Sequence, residues 1–293
     1  MADSRGLPRL FRGVLAGLTL LILAAAPQMA FYGSEDIAVC ERTFRQAADR
    51  GWDRLPMDQV VVAVGRTFIG LPYKAHALER PGDECLIVDF SGLDCTTFVE
   101  NTLALARCIR LHQPTFEAFV RELTGIRYRD GRVDQYPSRL HYFSDWIYEG
   151  SRQGRVTDVT AAIGGIPYPL TLTFMSTHSQ AYPALRNPDF VSAMQSIEQA
   201  ITARSYHFVP KGAIGAASGR IKPGDIIAIT TNVQGLDISH VGIAANGDDG
   251  KLHFLNAPQV GHKVELSKDT LAAHLGGPGS HTGIMVARPL EPV

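Results

Sequence analysis

Several features that would place a chain of 293 residues in a familiar class are missing from this one. Its 28 Lys and Arg against 29 Asp and Glu leave a net charge of −1, and no long run of like charge occurs. The electrostatic footprint of a nucleic-acid binder is therefore absent, and no nucleic-acid partner is expected. There is no CxxC spacing and no HExxH, which removes the usual signatures of a structural zinc site and a zincin, so no metal or cofactor is expected. No internal repeat and no low-complexity linker divides the chain. What is present is 45% apolar residues, enough for a sizeable core in a soluble enzyme or binding protein.

The first 30 residues stand apart. Arg5, Arg9 and Arg12 precede an uncharged run from Gly13 to Ser34 whose apolar heart is Val14 to Ala26. That is the basic start and short apolar centre of a secretory signal. Small residues for cleavage lie at Ala24-Ala25-Ala26, although Pro27 follows them directly, and Ala30 is a second candidate. An uncleaved anchor is the alternative, but the strongly apolar part is short for a bilayer. Residues 1–30 are thus expected to engage the export machinery or the membrane, and 31–293 to form one domain. No cysteine follows the apolar run closely, so no lipid-attachment site is expected.

Beyond the leader, Ala38 to Arg50 and Pro56 to Phe68 read as helices, the second ending at Gly70-Leu71-Pro72-Tyr73. An apolar run, Cys85 to Phe90, leads to a helix starting at Asp94-Cys95, with further helices over Thr115 to Thr124 and Asp189 to Ala203. Two stretches, 136–146 and 173–178, are dense in polar and aromatic side chains and suit either a buried network or a ligand cleft. The last 75 residues read as an antiparallel meander over Ile226 to Thr230, Ile238 to Ala245, Leu252 to Ala257, Lys263 to Leu266 and Thr282 to Arg288. Helices first and a meander last imply an α+β fold.

Leu93-Asp94-Cys95-Thr96-Thr97-Phe98 is the stretch with chemistry in it. Asp94 is a good N-cap, Leu93 and Phe98 stand where a hydrophobic staple would, and apolar residues then recur with a helical period as far as Ile109. Cys95 is thereby set at the first helical position, where the helix dipole favours thiolate. The alternative is a small buried core cysteine. Were Cys95 a nucleophile, Cys40, Cys85 and Cys108 would remain for disulfides, at least one of them unpaired. Cys108 lies roughly 220° round the helix from Cys95 and faces elsewhere.

A cysteine nucleophile needs a base and a group that orients the base. His240, in Ser239-His240-Val241-Gly242, stands early in a strand with Gly242 and Ala244 on its face. A symmetric turn over 246–250 sets His240 directly opposite Asn256, about 5 Å away between Cβ atoms. That yields a Cys-His-Asn set. In this pairing His253 faces Ile243 on the other side, and a one-residue slip would exchange the two.

Gly70-Leu71-Pro72-Tyr73, Asp94-Cys95-Thr96 and Ser239-His240-Val241-Gly242, in that order, resemble the NlpC-type, papain-like cysteine hydrolases of bacterial cell walls. Longer collinear segments (LDCTTFVE, RLHYFSDW, GGIPY, TFMSTH, GDIIAIT, LDISHVGIA and TGIMVARP) resemble one branch more closely, the N-acetylmuramoyl-L-alanine amidase-like family, over roughly residues 55 to 290. The resemblance implies a papain-like fold with N-terminal helices, the nucleophile at a helix start, packed on a C-terminal antiparallel sheet. It implies Cys95 as nucleophile and His240 as general base and then acid, with Asn256 standing where the superfamily often has histidine. Tyr73 matches a tyrosine near the nucleophile, and Arg139, Tyr142, Ser176 and His178 fall in family-like segments as substrate-binding candidates. The implied activity is amide hydrolysis in muropeptides, at the bond between N-acetylmuramic acid and L-alanine, in the periplasm or cell envelope. A stem-peptide endopeptidase of the same fold and a non-catalytic cell-wall binding protein are the alternatives.

Overall fold

The computed structural model describes residues 30–276, 279 and 281–293. The signal-like run Val14 to Ala26 and its cleavage candidates before Ala30 lie outside these residues. Among the described residues no helix is long and apolar enough to cross a membrane.

Five helices make up much of the first half: α1 (Ser34–Arg50), α2 (Met57–Thr67), α3 (Cys95–Arg110), α4 (Phe116–Arg127) and α5 (Phe143–Arg152). Helix α1 starts four residues ahead of the expected Ala38 because the Asp36 carboxylate reaches back to the Gly33 N–H at 2.8 Å. It stops at Gly51, whose φ of 66° is a left-handed C-terminal turn. Helix α5 was not expected from the sequence. Its first turn is capped from far along the chain, by the Asp237 carboxylate accepting the Ser144 N–H at 2.8 Å. The run Cys85 to Phe90 supplies only β2 (Leu86–Ile87), paired in parallel with β1 (Ala30–Phe31).

The remaining strands are β3 (Val156–Asp158), β4 (Ile166–Tyr168), β5 (Tyr206–Pro210), β6 (Ile226–Thr231), β7 (Ile238–Asn246), β8 (Leu252–Asn256), β9 (Glu265–Thr270) and β10 (His281–Pro289). They form an antiparallel sheet in the order β4-β5-β10-β6-β7-β8-β9, with β3 also on β10. The fold is α+β, but the sheet is not the simple meander expected. The last strand returns to lie between β5 and β6, and β3 to β5 extend the sheet beyond it. Strand β9 begins at Glu265, not Lys263. Lys263 and Val264 turn instead to the Gly70-to-Tyr73 segment, where Val264 N–H meets the Leu71 carbonyl at 2.8 Å and Tyr73 N–H meets that of His262 at 2.8 Å. Four shorter or later helical pieces, α6 (Phe174–Thr177), α7 (Pro188–Thr202), α8 (Ile214–Ala217) and α9 (Leu271–Gly276), complete the chain.

Both sheet faces are buried. Ile226 and Ala228 of β6, with Val241 and Ile243 of β7, pack against Val60 and Val64 of α2 and Phe98 and Leu103 of α3. Ile227, Ile229, Ala244 and Phe254 face the other way, under Ile214, Ala217, Leu271 and Leu275. A strand buried on both sides reads as a continuous apolar run, which is why β6 was legible.

The dense stretch around Tyr142 is a buried network. Tyr142, 2% exposed, donates to Glu198 Oε1 of α7 at 2.6 Å and accepts the Met175 N–H of α6 at 2.9 Å. The same Glu198 oxygen accepts the Ser176 N–H at 3.0 Å. Losing the hydroxyl leaves the Met175 N–H without an acceptor and Glu198 Oε1 with the Ser176 N–H as its remaining donor. Tyr142→Phe is therefore expected to lower stability by about 1–3 kcal/mol. Urea unfolding should show an earlier midpoint at unchanged slope.

Candidate active site

Helix α3 begins as its sequence requires. Asp94 Oδ1 accepts the Thr97 N–H at 2.7 Å, and the Thr97 hydroxyl accepts the Asp94 N–H at 2.9 Å, a reciprocal capping box. Leu93 and Phe98, either side of the cap, are both fully buried. Phe98 N–H bonds the Asp94 carbonyl. The N–H groups of Cys95 and Thr96 are left at the open end of the helix, where backbone donors have no carbonyl of their own.

The half-buried Cys95 lies against β7. Burial, and then the Asp94 carboxylate, push its thiol up to about 11, while the Val241 N–H and the hydroxyl and N–H of Thr96 pull the other way. The expectation of a resting thiolate is thus corrected. The cap that places Cys95 at the dipole's positive end also puts a carboxylate beside the sulfur.

The hairpin of β7 and β8 pairs differently from the symmetric-turn expectation. Gly242, not His240, lies opposite Asn256, and Ala245 lies opposite His253. The shift is two residues, an even number, so every side chain keeps its face. His240 reaches Asn256 along the diagonal, with Nε2 at 2.8 Å from Oδ1. The Asn256 Nδ2 donates to the Phe254 carbonyl at 3.1 Å, which orients the amide so that its oxygen faces the ring. His240 must then carry its proton on Nε2, leaving Nδ1 as the basic nitrogen. Burial holds the His240 pKa below its ordinary value. The Asn256 hydrogen bond works against this, and His274 and His281 add to it. Thiol and imidazole make no hydrogen bond with each other among the described residues. The room that Gly242 leaves is filled by protein. A Cβ there would stand 2.6 Å from the Phe254 ring and 2.7 Å from the Leu255 carbonyl. His253 serves the turn, with its ring nitrogens on Asp249 Oδ1 at 3.0 Å and the Ser267 carbonyl at 2.8 Å.

A cavity of about 420 Å³ opens beside the start of α3, lined by Tyr73, Glu79, Asp94, Thr96, Glu100, Arg139 and His141 among others. Tyr73 is held there by its backbone pairing with Leu93. Burial, then the charges of Cys95 and Asp94, raise its phenol above the ordinary value. Beneath the cavity Glu100 and Arg127, each 1% exposed, form an ion pair at 2.7 Å, and Arg127 Nη1 also holds the Ile87 carbonyl at 2.5 Å. A second cavity of about 770 Å³ shares Leu78, Glu79 and Arg139 as its wall with the first. Arg139 is spent on that wall, donating to Glu84 at 2.8 and 3.0 Å, to Glu79 at 2.9 Å and to the Leu78 carbonyl.

The structure thus gathers Cys95, His240, Asn256 and Tyr73 around the α3 start and the β7–β8 hairpin, with Arg139 at the cavity wall. Of the expected site residues, Tyr73 and Arg139 line the cavity, while Cys95, His240 and Asn256 lie next to it without lining it. Tyr142, Ser176 and His178 do not line it either: Tyr142 and Ser176 belong to the Glu198 network, and exposed His178 turns Nδ1 to the Phe174 carbonyl at 2.9 Å. His141 and Glu100 were missed as site residues. Only their place in the resembling segments RLHYFSDW and LDCTTFVE could have singled them out. Among the described residues no group of three or more His, Cys, Asp or Glu side chains could hold a metal ion.

A family model described as AmiA-like, N-acetylmuramoyl-L-alanine amidase-like, matches residues 63–277. Among solved structures, an N-acetylmuramoyl-L-alanine amidase from Bacteroides uniformis ATCC 8492 is 40% identical, covering 80% of this chain and 98% of its own, with a TM-score of 0.76. A protein described as a putative xylanase from Bacteroides fragilis is 42% identical, over 78% of this chain and 99% of its own, with a TM-score of 0.70. LPG0564 from Legionella pneumophila, at 19% identity, 88% and 96% coverage and a TM-score of 0.66, shares the fold. Comparison with curated proteins finds no match.

Asp94→Asn separates the cap from the charge, because asparagine caps as well as aspartate. Its expected effect is a Cys95 pKa below the wild-type value of about 11. The pH dependence of alkylation by iodoacetamide reads this directly, and an unchanged titration would count against the Asp94 effect.

Proposed function

This chain belongs to the AmiA-like, N-acetylmuramoyl-L-alanine amidase-like family, and we propose that it cleaves the amide between N-acetylmuramic acid and L-alanine in muropeptides through a thioacyl enzyme. The observation that carries the proposal is the His240 ring fixed by Asn256 at 2.8 Å, on the strand against which Cys95 is packed. In this reading the fold is papain-like and of the NlpC type, with residues 31–293 as one catalytic domain behind an export segment. The protein then works in the periplasm or cell envelope. The charge-free run after Arg5, Arg9 and Arg12 supports that location.

The electrostatics favour a neutral resting pair. A thiol pushed upward and an imidazole pushed downward hold the proton on sulfur until substrate arrives. His240 Nδ1 then takes the proton as Cys95 Sγ attacks the carbonyl, and the resulting imidazolium gives it to the departing amine. Water deprotonated by the same nitrogen attacks the thioester and releases the acid and the thiol. The Cys95 and Thr96 N–H groups at the helix start are the available donors to the oxyanion. Asn256 holds the ring in the Nε2–H tautomer throughout, the office of the third residue of a triad.

Cys95→Ala should abolish release of intact stem peptide from defined muropeptides, followed by mass spectrometry. Cleavage within the stem instead would establish an endopeptidase, and binding without turnover a cell-wall binding protein. His240→Ala should lower kcat by roughly 10²- to 10⁴-fold.

The pH profile follows from the direction of the His240 shift. The base works when neutral, and its pKa lies below the ordinary 6.5, so kcat/KM should fall toward acid as the ring protonates, with the midpoint of that limb below pH 6.5. An acidic limb centred above 6.5 would contradict this assignment.

A further inference from the structure

We propose that His141 is a substrate-binding residue that accepts a hydrogen bond at Nδ1 from an O–H or N–H of the muropeptide lying in the cavity beside Cys95. The inference rests on the muropeptide reading above and adds a recognition contact to it. Its foundation is a tautomer that the structure leaves no freedom to change. His141 Nε2 lies 2.9 Å from the Tyr136 carbonyl oxygen. A carbonyl can only accept, so Nε2 carries the proton, and a neutral imidazole then has a bare lone pair at Nδ1. Among the described residues Nδ1 meets no hydrogen-bond partner. The residue is half-buried and lines the same cavity as Tyr73, Asp94 and Thr96. Its ring is held by the Tyr136 ring, with centroids 4.4 Å apart.

Two surroundings make this acceptor dependable. Burial above all, then the Arg139 and Arg129 guanidinium groups, push the His141 pKa down to about 3 against the opposing Tyr136 carbonyl. The ring therefore stays neutral wherever the enzyme works, and Nδ1 does not become a donor. Elsewhere the lining is mixed, with the carboxylates of Glu79 and Asp94 beside the hydroxyls of Tyr73 and Thr96 and the amide of Gln259, while the Arg139 guanidinium is occupied by Glu79, Glu84 and the Leu78 carbonyl. A ligand group that meets His141 at Nδ1 has to be a donor. A muropeptide has two kinds, sugar hydroxyls and peptide N–H groups, and the recognition chemistry is common to both.

Calorimetry on the Cys95→Ala protein tests the proposal with two probes, N-acetylmuramoyl-L-alanyl-D-isoglutamine and the hydroxyl-free N-acetyl-L-alanyl-D-isoglutamine. His141→Phe keeps an aromatic ring beside Tyr136 and deletes the acceptor, and it should weaken binding by about tenfold. His141→Asn, which restores an acceptor near the Nδ1 position, should recover part of the loss. A loss with both probes identifies a peptide N–H as the donor, and a loss confined to the muramoyl probe identifies a sugar hydroxyl. Unchanged affinity in His141→Phe overturns this inference alone. Failure of the Cys95→Ala protein with His141 intact to bind either probe overturns the inference together with the muropeptide reading. A measurement without any variant guards against misfolding. The ¹⁵N spectrum of the wild-type ring should show the neutral Nε2–H tautomer at pH 5, and an Nδ1–H tautomer or an imidazolium there overturns the proposal.

Discussion

The Glu100–Arg127 ion pair is the constraint on which the site's geometry hangs. It lies in the interior, each partner 1% exposed, and it joins the helix that carries Cys95 to the helix that follows it. Through the Ile87 carbonyl the same guanidinium also fixes the chain just ahead of Cys95. Burial, with a smaller push from Asp94, lifts the Glu100 carboxyl above its ordinary range, and Arg127 is the main group opposing that, helped by Arg139. Removing one partner of such a pair leaves a charge in the core, at a cost of roughly 3–5 kcal/mol. Cys95 stands little more than one helical turn before Glu100. The lateral position of its thiol is thus set by an interaction almost wholly removed from solvent.

Above that anchor, the walls of the cavity are held by polar contacts as well as by apolar packing. Arg139 binds both Glu79 and Glu84, and Tyr128 donates to the same Glu84 at 2.7 Å. Sharing one carboxylate between an arginine and a tyrosine makes the strap from Leu78 to Glu84 a member of the core network, although its tip is exposed. The environment around the thiol and the imidazole has one electrostatic character. Burial disfavours charge on either group, raising the thiol and lowering the imidazole.

Much of this was legible where the determinants are local. The cap, staple and helical period around Cys95 lie within a few consecutive residues, and the structure reproduces them. The β7–β8 turn was legible too, though its register moved by two. Parity, not exact pairing, decides which side chains share a face, so the His240–Asn256 relation survived the error. What escaped was assembled at a distance. Helix α5 takes its cap from Asp237, ninety-three positions beyond Ser144. Strands β3 and β4 are three residues each, too short for alternation to register, and they exist because β10 and β5 are there to receive them. The cavity draws on residues 73–79, 94–100, 139–141 and 259, and no sequence period links those four segments. Tyr142 and Ser176 were candidates for their place in family-like segments, and the structure sets both in the Glu198 network. Clusters of hydrogen-bonding side chains serve a network as readily as a ligand.

The insertion of β10 between β5 and β6 has a consequence for how the molecule comes into being. Strands β6, β7, β8 and β9 can associate as neighbours in the order in which they are made, whereas β5 has no partner on β6 until residues 281–289 arrive between them. Strand β10 is the keystone of the sheet, flanked on both sides and contributing Ile284 and Val286 to one core and Met285 and Ala287 to the other. The sheet closes into one piece only when residues 281–289 take their place between β5 and β6, so joining its two halves depends on contacts of long sequence separation.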